Sequence, residues 1–477
     1  MGFNPTYNNL DERQPMTAEI WNQTMADIQS AMSAIDGTEL ASPLTMAGDI
    51  DGNDNSIYGF KRMLGYGGAD VCIRDVSGYG ARGNNSTDDT VAIQNAVDDL
   101  PVTGGCIVFP PGTYIISAPI QMAGRDGTRN NVTFAGFGFT TVFKLAPTTD
   151  SCAMIKMGHP ANGTTGMHVY GVKVLGNQVW QTAGTVHYAF SMADSTKASI
   201  VNCWTEQMMG GAVDFEGSTD ARIENVTSIS YKVSGFGKAG SSKPFTRLMM
   251  LNCLTKDGLT GSTNGFLIGP GNYATLDQCS VYNSETNGFV LTTEPGLSLA
   301  YVSAIGCQAF DCGHSGFLVT NPNATAKMSH ITVSGGLFAN CARSGVYFIG
   351  AGDAPIRSFT ITGTVCVKNY RAGIQLADNV KYGCISSCIC SNNDLGAGGY
   401  AGIYAHGGAS GDEVEMVSIT ANSCIDDGVS GATQDRGIYL TSNTKRCTVV
   451  ANQVYGNTMA QITDGGDNNE IAHNPGF

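Results

Sequence analysis

Nine times between residues 211 and 437 a glycine opens a short run in which apolar side chains alternate with others. Gly211-Ala-Val-Asp-Phe, Gly265-Phe-Leu-Ile, Gly316-Phe-Leu-Val, Gly345-Val-Tyr-Phe, Gly373-Ile-Gln-Leu, Gly402-Ile-Tyr-Ala and Gly437-Ile-Tyr-Leu are the clearest, with Gly235 and Gly288 between them. Successive intervals are 24, 30, 23, 28, 29, 28, 29 and 35 residues. A second strand-like marker falls within the same repeat, at Ile200-Val-Asn-Cys, Ile223-Glu-Asn-Val, Met250-Leu-Asn-Cys, Ile331-Thr-Val and Val417-Ser-Ile. A period in this range means stacked units, each too small to bury its own core. No helical pattern separates the strands, which excludes leucine-rich and βαβ repeats. A propeller blade needs about forty or more residues and antiparallel strands. The spacing therefore predicts an all-β parallel β-helix built from three-strand coils.

Stacked coils account for 62 glycines and a charged fraction of only 14%, since every coil needs several tight turns. A net charge of −14 with no basic stripe argues against nucleic acid, and equally against an anionic membrane surface. No apolar run reaches the length of a membrane span, and Met1-Gly-Phe-Asn-Pro-Thr6 lacks the basic and apolar regions of a signal peptide. The 15 cysteines are an odd set in a long chain without a leader, which argues against a disulfide framework. Cys203, Cys253, Cys279, Cys307, Cys341, Cys366, Cys390 and Cys424 recur about once per repeat and read as a ladder of buried thiols. Cys384, Cys388 and Cys390 have no nearby histidine, so neither zinc nor any other cofactor is expected.

Ahead of the repeats, Asp75 to Ser117 reads as a loop, a helix and the first strands. Ser86 or Thr87 is the expected N-cap, Asp88 and Asp89 the charges at the helix's positive end, and Ile93, Ala96, Val97 and Leu100 its apolar face. A solenoid needs such a lid, because a terminal coil otherwise exposes its core and unpaired edges. The order D-x-x-x-Y-G-A-x-G-x-x-x-T-D-D-T-x-A-I-Q over Asp75–Gln94, then G-G-x-x-x-F-P-x-G-T-Y over Gly104–Tyr114, resembles the opening of pectate-lyase-like proteins, a group that includes many bacteriophage tailspikes. The resemblance implies a right-handed parallel β-helix that acts on or binds polysaccharide.

Residues 1–40 differ in pattern. Trp21, Met25, Ile28, Met32 and Ile35 form a short heptad seam, too brief to be stable alone, and so predicted to pair with copies of itself or with another protein. Residues 41–74 contain Leu44-Thr-Met-Ala-Gly-Asp-Ile-Asp-Gly-Asn-Asp-Asn-Ser-Ile57, which resembles a segment near the N-termini of phage tail fibres and spikes. An EF-hand reading of the acidic part fails, because no glutamate holds the twelfth position and no helices flank it. Four regions follow: 1–40 for trimerisation or virion attachment, 41–74 a fibre-like connector, 75–117 the capping helix and first strands, and 118–477 the β-helix. The final Asn469–Phe477 reads as the closing turn of the last coil.

Strand alternation can bring carboxylates out together, which is what acid–base catalysis on a solenoid strand needs. In Ala212-Val-Asp-Phe-Glu-Gly217, inward Val213 and Phe215 put Asp214 and Glu216 outward, roughly 6.6 Å apart. That spacing suits an inverting glycosidase, which needs room for a water between acid and base. Ser191 and Ala193 on one side, with Gly237 and Ala239 on the other, would leave a shallow trough above the pair. Glu206, Glu224 and Asp257 are alternates; Trp204, Trp180, Tyr188 and Tyr231 are candidate sugar platforms; Lys238 and Lys243 would face an acidic sugar in a lyase. The expectation is a homotrimeric phage tailspike in the virion tail that binds and cleaves host surface polysaccharide; the alternatives are a non-enzymatic receptor-binding spike, a polysaccharide lyase, or a free pectinase or epimerase. Its partners would be the host glycan and, through residues 1–74, the phage tail or another fibre.

Overall fold

The computed structural model describes residues 72–475 apart from 150–152, 182–186, 238–239, 241, 261–262, 323–324, 351–353, 409–410 and 430–432. The heptad seam of residues 1–40, and the connector as far as residue 71, lie outside the described residues. From residue 120 onward the chain winds as a right-handed parallel β-helix of about 13 turns. Its first sheet has 13 parallel strands, beginning at Ile120–Gln121 and ending at Ala460–Asp464. The second sheet runs through Thr219–Glu224, Phe245–Leu251 and Gly271–Asp277 to Glu470–Ala472. The third runs from Trp204–Glu206 through Thr227–Ile229 and Leu254–Lys256 to Gln453–Tyr455. The long strand His168–Leu175 pairs with both of the latter and so joins them at one corner.

That corner recurs at one residue per coil. Asn202, Asn225 and Asn252 adopt left-handed φ of 53°, 51° and 49°, a region asparagine tolerates better than most residues, and Gly306, Gly335 and Gly363 take the same place further on. Each corner amide bonds the next coil, as in Asn202 N–H to Glu224 O at 3.0 Å and Asn225 N–H to Leu251 O at 3.0 Å.

Inside, like side chains stack on like. Phe236, Phe266, Phe289 and Phe317 lie face to face with centroids 4.8, 4.8 and 5.5 Å apart, close to the strand spacing of a sheet. The eight recurrent cysteines are all buried thiols, as the repeat implied. Buried amides form ladders: Asn369 Nδ2 to Asn393 Oδ1, Asn393 Nδ2 to Gln434 Oε1, and Gln434 Nε2 to Asn457 Oδ1, at 3.0, 3.2 and 2.7 Å. They satisfy polar groups that the turns carry inward, where an unpaired amide would be costly.

Helix α1 spans Thr90–Asp98 and buries Ile93, Ala96, Val97 and, just beyond its end, Leu100, which is the predicted face. Its start lies later than the sequence suggests. Asn84–Asp88 is a strand paired with Gly112–Ile116, so Ser86 and Thr87 do not cap the helix. Asp88 Oδ1 instead accepts from Thr90 N at 3.0 Å, while buried Asp89 accepts from the backbone of Arg82 and Gly83 at 2.7 and 3.1 Å. Gln94 ties the lid to the solenoid by accepting from Gln121 N at 2.8 Å.

Candidate functional site

The register around Asp214 is the one its sequence neighbours imply. Ser191 pairs with Asp214, and Val213 with Phe236, which sets Gly237 beside the acid. The geometry above them is different. The strand ends at Asp214, so Glu216 lies in the turn beyond it and the alternation that would lift both acids together stops. Asp214 is 8% exposed and its Oδ1 accepts the Glu216 N–H at 3.1 Å. Glu216 Oε1 accepts from Ser242 N, Ser242 Oγ and Lys243 N at 2.7, 3.0 and 3.0 Å. The space they share is about 10 Å³, walled by Phe215, Phe245, Leu267 and Pro270: enough for one water and too small for a sugar ring. Both carboxylates hold a turn.

The other sequence candidates are scattered. Tyr231 is fully buried and Tyr188 nearly so, and neither presents a ring to an outside sugar. Trp180 is 65% exposed on the short turn Gln178–Trp180. Trp204 and Glu206 share a strand of the third sheet, with Trp204 Nε1 donating to Glu206 Oε1 at 2.7 Å and Lys173 Nζ 3.0 Å from Oε2. Glu224 pairs with Arg222 at 2.6 Å, and Asp257 Oδ1 accepts from Asn283 Nδ2 at 3.1 Å. Lys238 lies outside the described residues.

A denser arrangement occupies the outward side of the first sheet five coils later. Leu318, Tyr347, Gln375, Tyr404 and Tyr439 succeed one another in register, and Ala377 and His406 form the adjacent outward column. Ahead of these strands, the backbone amides of Arg343 and Arg371 bond His314 O and Arg343 O at 3.0 and 3.1 Å, stacking His314, Arg343 and Arg371 coil on coil. Neither arginine has an ion-pair partner among the described residues. Arg371 lies 5.4 Å from the Tyr400 ring and Arg436 4.4 Å from that of Tyr439. Rings of Tyr404 and His406 stack at 4.9 Å, and Tyr404 meets Tyr439 at 5.2 Å.

Hydrogen bonds set the protonation pattern. Ser344 Oγ donates to Gln375 Oε1 at 2.6 Å, which orients the amide so that its Nε2 donates to His406 Nε2 at 2.9 Å. That ring nitrogen accepts, so His406 is a neutral imidazole with its proton assigned to Nδ1. Burial pushes its pKa down, against the pull of Asp378. Burial, and then Asp378, pushes the Tyr347 phenol up to about 12, with Arg371 and Arg343 opposing. Burial raises Tyr404 as well, with Tyr439 and Tyr400 adding to it. His314 is lowered by burial and by Arg343 and Arg371. At neutral pH the face therefore presents guanidinium cations, the neutral phenols of Tyr347 and Tyr404 and a neutral imidazole, with Asp378 near enough to act on both Tyr347 and His406. Asp394, nearby in sequence, is buried and accepts from the amides of Gly398, Gly399 and Tyr400 at 2.8, 3.1 and 2.9 Å. Its role is to hold the loop that carries Tyr400.

The sequence held a signal for this cluster. In Gly345-Val-Tyr, Gly373-Ile-Gln, Gly402-Ile-Tyr and Gly437-Ile-Tyr the polar residue stands two places after the marker glycine, which puts all four on one outward column. Reading down the repeats finds it; reading along one strand does not.

Coils, lid and first-sheet face together define a pectate lyase-like parallel β-helix. The chain belongs to the rhamnogalacturonase A/epimerase, pectate lyase-like family, whose profile matches residues 73–317. Among curated relatives, a probable glucan endo-1,3-beta-glucosidase of Arthroderma benhamiae is 31% identical over 101 residues, 19% of this chain and 12% of that protein. The mannuronan C5-epimerase AlgE6 of Azotobacter vinelandii is 43% identical over 76 residues, 15% of this chain and 8% of that protein. The matched stretches thus span only about a tenth of those relatives' lengths. The A-module of AlgE6 superposes with a TM-score of 0.54 at 17% identity, covering 84% of this chain and 98% of the module. Tailspike protein 3 of bacteriophage CBA120 superposes with a TM-score of 0.61 at 14% identity, covering 96% of this chain and 69% of the tailspike. At such identities the likeness is one of fold.

Proposed function

We propose that this chain is a phage tailspike subunit that binds and cleaves an acidic polysaccharide of the host surface on the outward face of its first sheet. The observation that carries this reading is the column of Arg343 and Arg371, without ion-pair partners among the described residues, beside Tyr347, Gln375, Tyr404 and His406, in a chain whose net charge is −14. Guanidinium forks match carboxylates bidentately, and tyrosines offer both an apolar ring and a hydroxyl to a sugar. The fold shared with a tailspike supports the virion setting, and the names of the glucosidase and the epimerase support action on glycans.

The groups present suit elimination better than hydrolysis. Arginine at a uronate carboxylate would acidify the neighbouring C–H; His406, released from Gln375, would take that proton as the C=C bond forms and the glycosidic C–O bond breaks. A phenol, Tyr347 or Tyr404, would supply the proton to the leaving oxygen. Hydrolysis through Asp214 and Glu216 would first require the Ser242–Lys243 turn to open.

Purified protein is to be incubated with host capsule or O-antigen. Shortened, ultraviolet-absorbing unsaturated oligosaccharides are expected. Saturated fragments with new reducing ends would replace elimination by hydrolysis, and binding without cleavage would make the chain an adhesin. Failure to bind any acidic glycan of its host would sink the proposal.

Copies are proposed to associate as a homotrimer along the third sheet. There Tyr282 and Ile389 are exposed, Phe310, Leu337, Val365 and Val367 are half-buried, and all six belong to one outward surface. Residues 1–74 are the proposed attachment to the tail.

A further inference from the structure

A feature on another side of the solenoid goes beyond that reading. The strand Val132–Leu145 pairs with His168–Leu175 at Ala135↔Tyr170 and again at Val142↔Lys173. Between these points it advances seven residues while its partner advances three, with Gly138 paired to Val172 on the way, so four extra residues are accommodated in two successive bulges. The bulge is held in place. Phe137 N donates to Thr141 Oγ at 2.9 Å, Thr140 Oγ to Phe137 O at 2.9 Å, and Thr141 Oγ to Phe109 O at 3.0 Å. Gly138, at φ +70°, makes the turn, and Phe137 and Phe139 project with 60% and 64% of their surface exposed. Displaying two phenylalanines to water on an ordered loop runs against the usual burial of apolar side chains.

Phe139 meets Trp204 edge to face at 5.1 Å, and the indole is fixed through Glu206 to Lys173. The two rings together form part of the wall of a hollow of about 220 Å³, with Val172 and Cys203 also lining it and Asn202, Asn225 and Thr227 contributing polar groups. Asn225 Nδ2 donates to Asn202 Oδ1 at 3.1 Å, an arrangement that keeps the Asn202 NH2 group as donor and the Asn225 amide oxygen as acceptor toward a ligand.

We propose that this hollow is a second binding site, for one neutral pyranose ring, separate from the first-sheet face. A pyranose has an apolar C–H face for the aromatic wall, and hydroxyls that both donate and accept for the amide pair. The volume falls below the several hundred Å³ of a drug-sized pocket, so a single ring fits and an oligosaccharide does not. No charged side chain lines the hollow, and the nearby carboxylates of Glu206 and Glu224 are already paired, which disfavours an anionic sugar. The first-sheet arginines have the opposite preference, so the two sites read different sugars.

The test uses the full chain with Trp21→Phe and Trp180→Phe, so that Trp204 is the only indole. Its emission is followed while methyl glycosides of glucose, galactose, mannose and N-acetylglucosamine are added, with methyl glucuronide as the charged comparison. At least one neutral glycoside is expected to give a saturable change with a dissociation constant on the order of 1 mM, as suits a one-ring site. Phe139→Ala should weaken it at least tenfold, whereas Arg371→Ala on the first sheet should leave it unchanged. Should Phe139→Ala lower the melting temperature, Asn225→Ala serves as the second variant, with weakening again expected. No saturable change with any neutral glycoside, an equal response to the glucuronide, or a response that survives both variants would overturn the proposal. Dissociation of the oligomer by Phe139→Ala would also overturn it, by making the hollow a subunit contact.

Discussion

At the scale of residues, the first-sheet face separates groups that carry charge from groups that are kept from it. Arg371 borders Tyr347 electrostatically and lies against Tyr400. Arg371→Ala is expected to weaken binding of an acidic polysaccharide by roughly 10- to 100-fold, the worth of hydrogen bonds to a charged group. Calorimetric titration checks this, with an unchanged melting curve as the control. His406 supplies a pH dependence whose sign follows from its environment. Its folded pKa lies below the ordinary value of 6.5, so the fold favours the neutral ring that accepts from Gln375. This contribution is present above 6.5 and is lost as pH falls below it. Cleavage should therefore decline on the acid side, and His406→Gln should remove that limb of the pH profile together with most of the activity, about 10²–10⁴-fold. Asp214→Asn, by contrast, should leave cleavage within about threefold of the parent, because the structure assigns Asp214 to a turn; assays of kcat/KM decide.

At the scale of elements, each coil is stabilised by what lies directly above and below it. Phe266 sits between Phe236 and Phe289 at 4.8 Å on either side and is fully buried. Phe266→Ala should cost about 3–5 kcal/mol, read from denaturant unfolding, since the neighbouring coils cannot close the cavity without breaking their own ladders. Asn452 Nδ2 donates to Ile419 O at 2.8 Å and Asn474 Oδ1 at 3.0 Å, and its own Oδ1 accepts from Asn422 N at 2.9 Å. An alanine there orphans several buried groups at once. The helical lid illustrates how local readings drift. Its apolar face was legible because burial follows the 3.6-residue period, whereas its cap was misplaced because Asn84–Asp88 pairs with a strand almost thirty residues away. Tertiary pairing overrode the local capping preference.

At the scale of the molecule, a solenoid offers three long outer surfaces, and they differ in chemistry. The first carries the arginine–tyrosine cluster. The third carries Tyr282, Phe310, Leu337, Val365, Val367 and Ile389, an apolar strip of a kind that soluble monomers seldom expose. Light scattering should report a trimer, and Leu337→Asp or Val365→Asp should shift it toward monomer while leaving the far-ultraviolet β signal intact. A monomer in the unaltered protein would remove the proposed role of that strip.

The fold was legible from the chain alone because it rests on repetition: marker glycines, a period near 28 and alternation within each strand are local properties, and stacking multiplies them. The cysteine and phenylalanine columns follow from the same period. The candidate site was legible only down the column of repeats and not along any one strand. Whether two carboxylates two residues apart face a groove depends on where a strand stops, and the chain turns immediately after Asp214. Tyr188 and Tyr231 differ from Tyr404 only in which way the coil points them. His314, Arg343, Tyr347, Gln375 and His406 span more than ninety residues of sequence and come together only because coils stack in register. Sequence periodicity determined what is buried; the register between coils decided which outward groups meet.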